Sequence, residues 1–318
     1  MIISASRRTD IPSYYSEWFF NRLKEGYAYV RNPMNPHRIS KVSLSPDVVD
    51  GIVFWTKNPT PMLNRLDELQ DYTYYFQFTL TPYGVDVERN IPSKNKIIIP
   101  TFRRLSSMIG KECVVWRYDP ILLNDRYTLQ YHKKYYQVLC DKLADYTEKC
   151  TISFLDLYKN IQRSIVPLGI RPLSPSQAEE LAGYFSEIAK EYEIYIDTCA
   201  EDIDLGKYGI KHASCIDRHR LERIGNFKLD IERDKNQRAA CGCVSSIDLG
   251  AYNTCRNGCV YCYANFNQTL VGSCCDKHDP SSYLLYGKVS ADDIIKPREM
   301  KSLRDGQMNL FGQGRCKG

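Results

Sequence analysis

No stretch of about 18 apolar residues occurs in the 318-residue chain, so no membrane span is expected. The opening Met1-Ile2-Ile3-Ser4-Ala5-Ser6-Arg7-Arg8 lacks the basic-then-apolar order of a secretory signal, and a cytoplasmic location is the expectation. No long block of Lys and Arg is present. A net charge of +5 permits a polyanionic partner without demanding one. The first strand-like run is not followed by a Gly-x-Gly-x-x-Gly turn, which weighs against a dinucleotide-binding fold. Histidine is scarce at five, with no pair at metal-binding spacing, and each reads as an ordinary surface residue. His37 follows Asn32-Pro33-Met34-Asn35-Pro36 and reads as part of an exposed loop.

Cysteine, by contrast, is abundant at thirteen and unevenly placed. Residues 1–198 hold only Cys113, Cys140 and Cys150, whose apolar surroundings read as core. The others crowd the last third of the chain. Without an export signal a disulfide scaffold is not expected, and clustered thiols in a reducing compartment read as metal ligands. Cys274-Cys275 and Cys316 lie in polar sequence without ligand-like spacing and read as incidental.

The first two-thirds of the chain repeat one theme, an apolar run followed by polar residues and often a helical pattern. The runs cover residues 2–5, 51–55, 74–80, 113–116, 150–154 and 193–196. Short continuous apolar runs are expected of strands buried on both faces of a parallel sheet. Ser174-Pro175 offers a helix cap and a first-turn proline, after which Ala178, Leu181, Phe185, Ile188 and Tyr192 share one helical face. Alternation of this kind predicts a parallel α/β fold, here a TIM-like partial barrel of six to seven strands over residues 1–240. A cysteine-rich segment, residues 241–318, would complete its active face. Strand ends carry Ser6-Arg7-Arg8-Thr9-Asp10, Thr56-Lys57-Asn58, Arg117-Tyr118-Asp119 and Asp197-Thr198-Cys199-Ala200-Glu201. Any one of these is what a strand needs to end in a polar turn. A succession of them predicts a site at the C-terminal edge of the sheet. Arg7, Asp10, Lys57, Arg117, Asp119 and Glu201 are the candidate substrate-cavity residues, and Arg7, Arg8, Lys57 and Arg117 favour a polar or anionic substrate.

The densest signal is Cys255-Arg256-Asn257-Gly258-Cys259-Val260-Tyr261-Cys262. Three thiolates on one loop can hold three irons of a [4Fe–4S] cluster and leave the fourth open to a chelating small molecule, since full ligation takes four Cys. Zinc is the bland alternative, but it wants four ligands, usually in pairs, and no partner His is evident. Upstream, Cys199, Cys215, Cys241 and Cys243 could hold a second Fe–S cluster or a zinc ion, or be plain packing residues.

Cys-x-x-x-Cys-x-aromatic-Cys, with Tyr261 as the aromatic, resembles the signature of the radical S-adenosylmethionine superfamily. That resemblance implies S-adenosyl-L-methionine on the open iron, a 5′-deoxyadenosyl radical, and an electron donor such as flavodoxin or ferredoxin. It also implies that Tyr261 contacts the cofactor. Phe54-Trp55-Thr56-Lys57-Asn58-Pro59 and Trp116-Arg117-Tyr118-Asp119-Pro120, with residues 4–10 and 241–265, resemble the family called domain of unknown function 1848. In the superfamily the triad follows the first strand, whereas here it comes near the C-terminus. If residues 246–252 pair beside residues 2–5, the loop returns to the same face, and Ser6, Arg7 and Asp10 become the candidate S-adenosylmethionine contacts.

Two other readings are weighed against this one, a non-catalytic iron–sulfur carrier or redox sensor, and a zinc-stapled nucleic-acid-binding module. Tyrosine numbers 24, and Tyr72, Tyr74, Tyr75, Tyr131, Tyr135 and Tyr136 suit either base stacking or helix–sheet packing. The Cys-Tyr-Ala end of the triad is similar to that of radical enzymes repairing DNA photoproducts, so a nucleic-acid substrate stands beside a small-molecule one. Oligomeric state is not legible.

Overall fold

A computed structural model describes residues 1–305; Cys316 lies outside the described residues. The strands, in chain order, are β1 (Ile2–Ala5), β2 (Tyr27–Asn32), β3 (Asn35–Ser43), β4 (Gly51–Thr56), β5 (Tyr74–Thr79), β6 (Val114–Ile121), β7 (Lys149–Phe154), β8 (Tyr195–Thr198), β9 (Lys211–His212), β10 (Ile247–Asp248) and β11 (Ile294–Pro297). Eight of them form one sheet in the order β10-β1-β4-β5-β6-β7-β8-β9. Every neighbouring pair in it is parallel. All six apolar runs are strands of this sheet, because its middle strands are covered on both faces and have no solvent side to mark with polar residues.

The barrel expectation needs correction. The sheet has eight strands, not six or seven, and among the described residues its edge strands β10 and β9 do not pair with each other. Each edge strand is two residues long, and both residues of β9 are exposed, so neither edge offers a ladder that could close the sheet. β10 does lie beside β1, with Ile3 opposite Ile247 and Ser4 opposite Asp248. This pairing carries the following cysteine loop to the edge where β1 ends.

β2 and β3 form an antiparallel pair, and β11 adds in parallel to β3, giving a second sheet. His37 therefore sits in a strand rather than a loop, although it is exposed, with Asp293 3.3 Å from its Nδ1. The chain beyond the cysteine triad also packs on helix Ser16–Glu25, where Trp18 Nε1 donates to the Ser282 carbonyl at 2.9 Å.

Helix Pro175–Glu191 begins at Ser174 with a full capping box, Gln177 answering the cap. Its Phe185 stacks on Tyr136 of helix Leu129–Leu143 with ring centroids 3.8 Å apart, and Tyr136 in turn stacks on Trp116 of β6 at 5.3 Å. Tyr75 and Tyr136 are fully buried, which makes them packing residues rather than a base-stacking surface. Cys113, Cys140 and Cys150 are core, as their apolar surroundings predict.

His132 overturns the surface reading of the histidines, being fully buried. Its Nε2 lies 2.8 Å from the Leu122 carbonyl, which can only accept, so Nε2 carries the proton and Nδ1 accepts from the Tyr118 hydroxyl at 2.8 Å. Burial lowers its pKa from 6.5 to about 4. A folded pKa below the unfolded one means that the unfolded chain binds more protons in between. Stability from the neutral ring is complete above pH 6.5 and is lost as pH falls through 6.5 toward 4. Urea unfolding at pH 7 and pH 4.5 is expected to show the wild type losing about 2–3 kcal/mol more than His132→Gln over that interval. Equal slopes for the two proteins would contradict this.

Candidate functional site

Because the main sheet is parallel, the C-terminal ends of its strands share one edge. There they surround a cavity of about 430 Å³. Ser6, Arg7 and Asp10 line it from the end of β1, Lys57 from β4, Arg117 and Asp119 from β6, and Glu201 from β8. Cys255, Cys259, Tyr261 and Cys262 line it from the loop after β10, and Cys199, Cys215, Cys241 and Cys243 line it from the stretch between β8 and β10. Every side chain singled out from the sequence for the site thus borders one space.

The turn after β1 is held by an acid that sequence reasoning missed. Asp248 of β10 accepts from Ser4 Oγ at 2.7 Å, Ser6 Oγ at 2.5 Å, the Arg7 amide at 2.9 Å and the Gly250 amide at 2.9 Å. Gly250 has to be glycine, since a Cβ there would overlap the Ser6 side chain and come within 3.1 Å of Thr9 Cγ2. Asp10 is buried and fully engaged: it caps helix Ile11–Tyr14 through the Ser13 amide at 3.0 Å, and accepts from the Lys57 amide at 2.8 Å and Asn257 Nδ2 at 3.0 Å. Burial raises its pKa against those donors. Its geometry is that of a post joining β1, β4 and the cysteine loop.

The loop of the triad is clasped along its length. The Asn90 amide donates to the Asn257 carbonyl at 3.1 Å, the Val260 amide to the Val87 carbonyl at 3.0 Å, and Asn265 Nδ2 to the Cys255 carbonyl at 2.8 Å. Tyr14 Oη donates to Asn257 Oδ1 at 2.8 Å. Gly258 takes φ +66°, and a Cβ there would press on Asn90 Nδ2 at 3.0 Å, so residue type and backbone agree. The donor set is three soft thiols without carboxylate or imidazole, which suits iron–sulfur chemistry and not a hard cation. Burial raises the pKa of all three thiols, so a metal would displace their protons on binding. Among the described residues no three Cys, His, Asp or Glu side chains already surround one point at metal distance. The three thiols flank the cavity. Cys275, read as incidental, is buried behind this loop, 3.4 Å from Tyr15 Oη and from the Thr254 carbonyl.

Behind Cys259 lies Glu88, with a wholly buried carboxylate. It accepts from Lys57 Nζ at 2.7 Å and Thr81 Oγ1 at 2.9 Å, and also from Lys94 Nζ and the Tyr261 hydroxyl. Burial alone would raise its pKa, but the two ammonium groups outweigh burial and hold it at about 2. Glu88 sits in Val87-Glu88-Arg89-Asn90, a stretch indistinguishable from solvated polar sequence, so no local signal could have found it. Lys57 Nζ also lies 5.6 Å from the Tyr261 ring centroid.

Across β6, Arg117 Nε donates to Asp119 at 2.9 Å, Asp119 also accepts from Ser153, and Arg117 Nη1 reaches Cys215 Sγ at 2.9 Å. Burial raises Glu201 to about 7, against the Phe154 amide that donates to it at 2.8 Å. Among the described residues the guanidinium groups of Arg7 and Arg8 hydrogen-bond only neutral partners, Ser246 Oγ at 3.4 Å and the Gly250 carbonyl at 3.5 Å.

Fold and site together define an α/β protein with a large parallel sheet and a cysteine-lined cavity at its C-terminal edge. The family model for "Domain of unknown function (DUF1848)" matches residues 2–264, and the chain belongs to that family. No curated protein matches it. No helix among the described residues is long and apolar enough to cross a membrane.

Proposed function

We propose that the protein is a radical S-adenosylmethionine enzyme, with Cys255, Cys259 and Cys262 as the ligands of a [4Fe–4S] cluster. The observation that carries the reading is the position of these three thiols on the wall of the same cavity that the charged strand ends surround. A [4Fe–4S] cluster with one open iron and S-adenosylmethionine would supply an electron and a 5′-deoxyadenosyl radical. The chain's own part is to hold, orient and exclude water. Asp248 and Asp10 fasten the β1 turn and the cysteine loop to the same sheet edge. The Tyr261 ring borders the cavity while its hydroxyl is committed to Glu88, leaving a fixed aromatic wall for the cofactor. Arg7 and Arg8, without an ion pair among the described residues, give the cavity charge for a polar or anionic substrate, with Arg117 already balanced by Asp119. The required reductant would be a small electron carrier such as flavodoxin or ferredoxin.

The test is anaerobic. Purified protein reconstituted with iron and sulfide, then given dithionite and S-adenosylmethionine, is expected to release 5′-deoxyadenosine. A protein that binds the cluster but releases none under any condition is a carrier or sensor instead. A protein that stays colourless and iron-free sinks both readings.

A further inference from the structure

The stretch between β8 and β10 has little regular structure, a 3-10 turn at Gly206–Tyr208, β9 and helix Arg218–Gly225, yet it forms one wall of the cavity. Something other than a sheet ladder must hold it. Four thiols meet there from three separate parts of the chain. Cys199 Sγ and Cys215 Sγ are 3.1 Å apart. Cys243 neighbours both Cys215 and Cys241, and its sulfur accepts from the Ile216 amide at 3.3 Å. The sulfurs form a continuous row, Cys199, Cys215, Cys243, Cys241.

The backbones carrying them are laced together before any metal is considered. The Gly242 amide donates to the Ala213 carbonyl at 3.3 Å, Ser214 Oγ donates to the Gly242 carbonyl at 2.7 Å, and the Ala213 amide donates to the Thr198 carbonyl at 2.6 Å. A Cβ on residue 242 would stand 2.6 Å from Ser214 Oγ and 3.1 Å from the Ala213 carbonyl oxygen, so the glycine between the two cysteines permits the close approach.

We propose that Cys199, Cys215, Cys241 and Cys243 hold one structural zinc ion, distinct from the triad's cluster. Contact between neighbouring sulfurs fits a single ion, because four sulfurs at about 2.3 Å from zinc lie close to one another at the corners of a tetrahedron. A cubane of four irons would hold its thiolates farther apart. A row has to close to surround an ion, and each cysteine swings its sulfur by turning one bond. Binding displaces four thiol protons and leaves a tetrathiolate of net charge −2 about the ion. The surroundings suit that charge: Arg117 donates to Cys215 Sγ, and Arg7 and Arg238 both lie within Coulombic reach of the group. Zinc here would pin the wall that carries Glu201 and Arg238 to the sheet.

The proposal does not depend on radical chemistry, and the test separates the two. Full-length protein with Cys255, Cys259 and Cys262 all replaced by Ala is purified anaerobically and its metals are measured. It is expected to retain about one zinc per chain and no iron. The variant Cys241→Ser/Cys243→Ser is expected to lose the zinc, keep iron at the triad after reconstitution, and melt at lower temperature than wild type. If that variant fails to fold, Cys199→Ser, which leaves three ligands, should bind zinc at least tenfold more weakly in a chelator competition. Iron and sulfide in the triple-alanine protein would overturn the zinc reading in favour of a second cluster. A Cys199–Cys215 disulfide with no metal would overturn the site altogether.

Discussion

Cys259→Ala is expected to leave the reconstituted protein without its cluster and to abolish 5′-deoxyadenosine release, with folding intact. Cys259 stands at the middle of the triad, on the segment that bridges to Glu88 and Val87. With three protein ligands already one short of full ligation, losing another leaves two, too few to hold a cube with one open corner. The fold should survive because the loop is clasped by hydrogen bonds from Asn90, Val260 and Asn265 rather than by its thiols. The measurement is iron and sulfide content with far-ultraviolet circular dichroism on the same sample. Retained iron at wild-type stoichiometry would refute the assignment of this ligand. Zinc content, proposed to sit at the second thiol group, is expected to be unchanged, which distinguishes loss of one centre from general damage.

Glu88→Ala should be the most destabilising single substitution near the site. It removes a buried carboxylate and leaves Lys57 and Lys94 without their partner, together with unpaired Thr81 and Tyr261 hydroxyls. Removing one member of a buried ion pair costs about 3–5 kcal/mol, because the remaining charge has lost its compensation in a poorly solvated place. Urea unfolding at pH 7 measures it. Glu88→Gln keeps the shape but not the charge, and should fall between wild type and Glu88→Ala. A loss below about 1 kcal/mol for Glu88→Ala would mean that the pair is no better than a surface salt bridge. The same network predicts a functional signature: with Tyr261 untethered, affinity for S-adenosylmethionine should weaken even where the folded fraction is corrected for.

Both effects arise from one arrangement. The backbone of the triad loop is held before any ligand arrives, by hydrogen bonds with Val87, Asn90 and Asn265. A site held in this way loses little ordering entropy on binding, and it places three thiols beside a preformed charged cavity.

The main sheet was legible in the amino-acid order because buried parallel strands are apolar on both sides, and residues 2–5, 51–55 and 150–154 needed no partner to declare themselves. Helix Pro175–Glu191 was legible for a similar reason, since Ser174, Pro175 and Gln177 act locally. The hairpin of β2 and β3 was not. Asn32, Pro36 and His37 read as loop, and only pairing across the turn and with β11 makes them sheet. The two-residue strands β9 and β10 are too short to carry a period, so the strand count and the failure of the sheet to close were decided by tertiary contacts.

The site divides along the same line. Cysteine spacing and the polar strand ends lie in short stretches of chain, and sequence alone could nominate them. Glu88, Asp248 and the buried His132 could not be nominated, because what distinguishes each is the company it keeps across 31, 244 and 14 residues of chain. The row of four sulfurs is likewise a product of three-dimensional packing. Local chemistry announces which groups can act; burial and convergence, which depend on residues far apart in the chain, decide which of them meet.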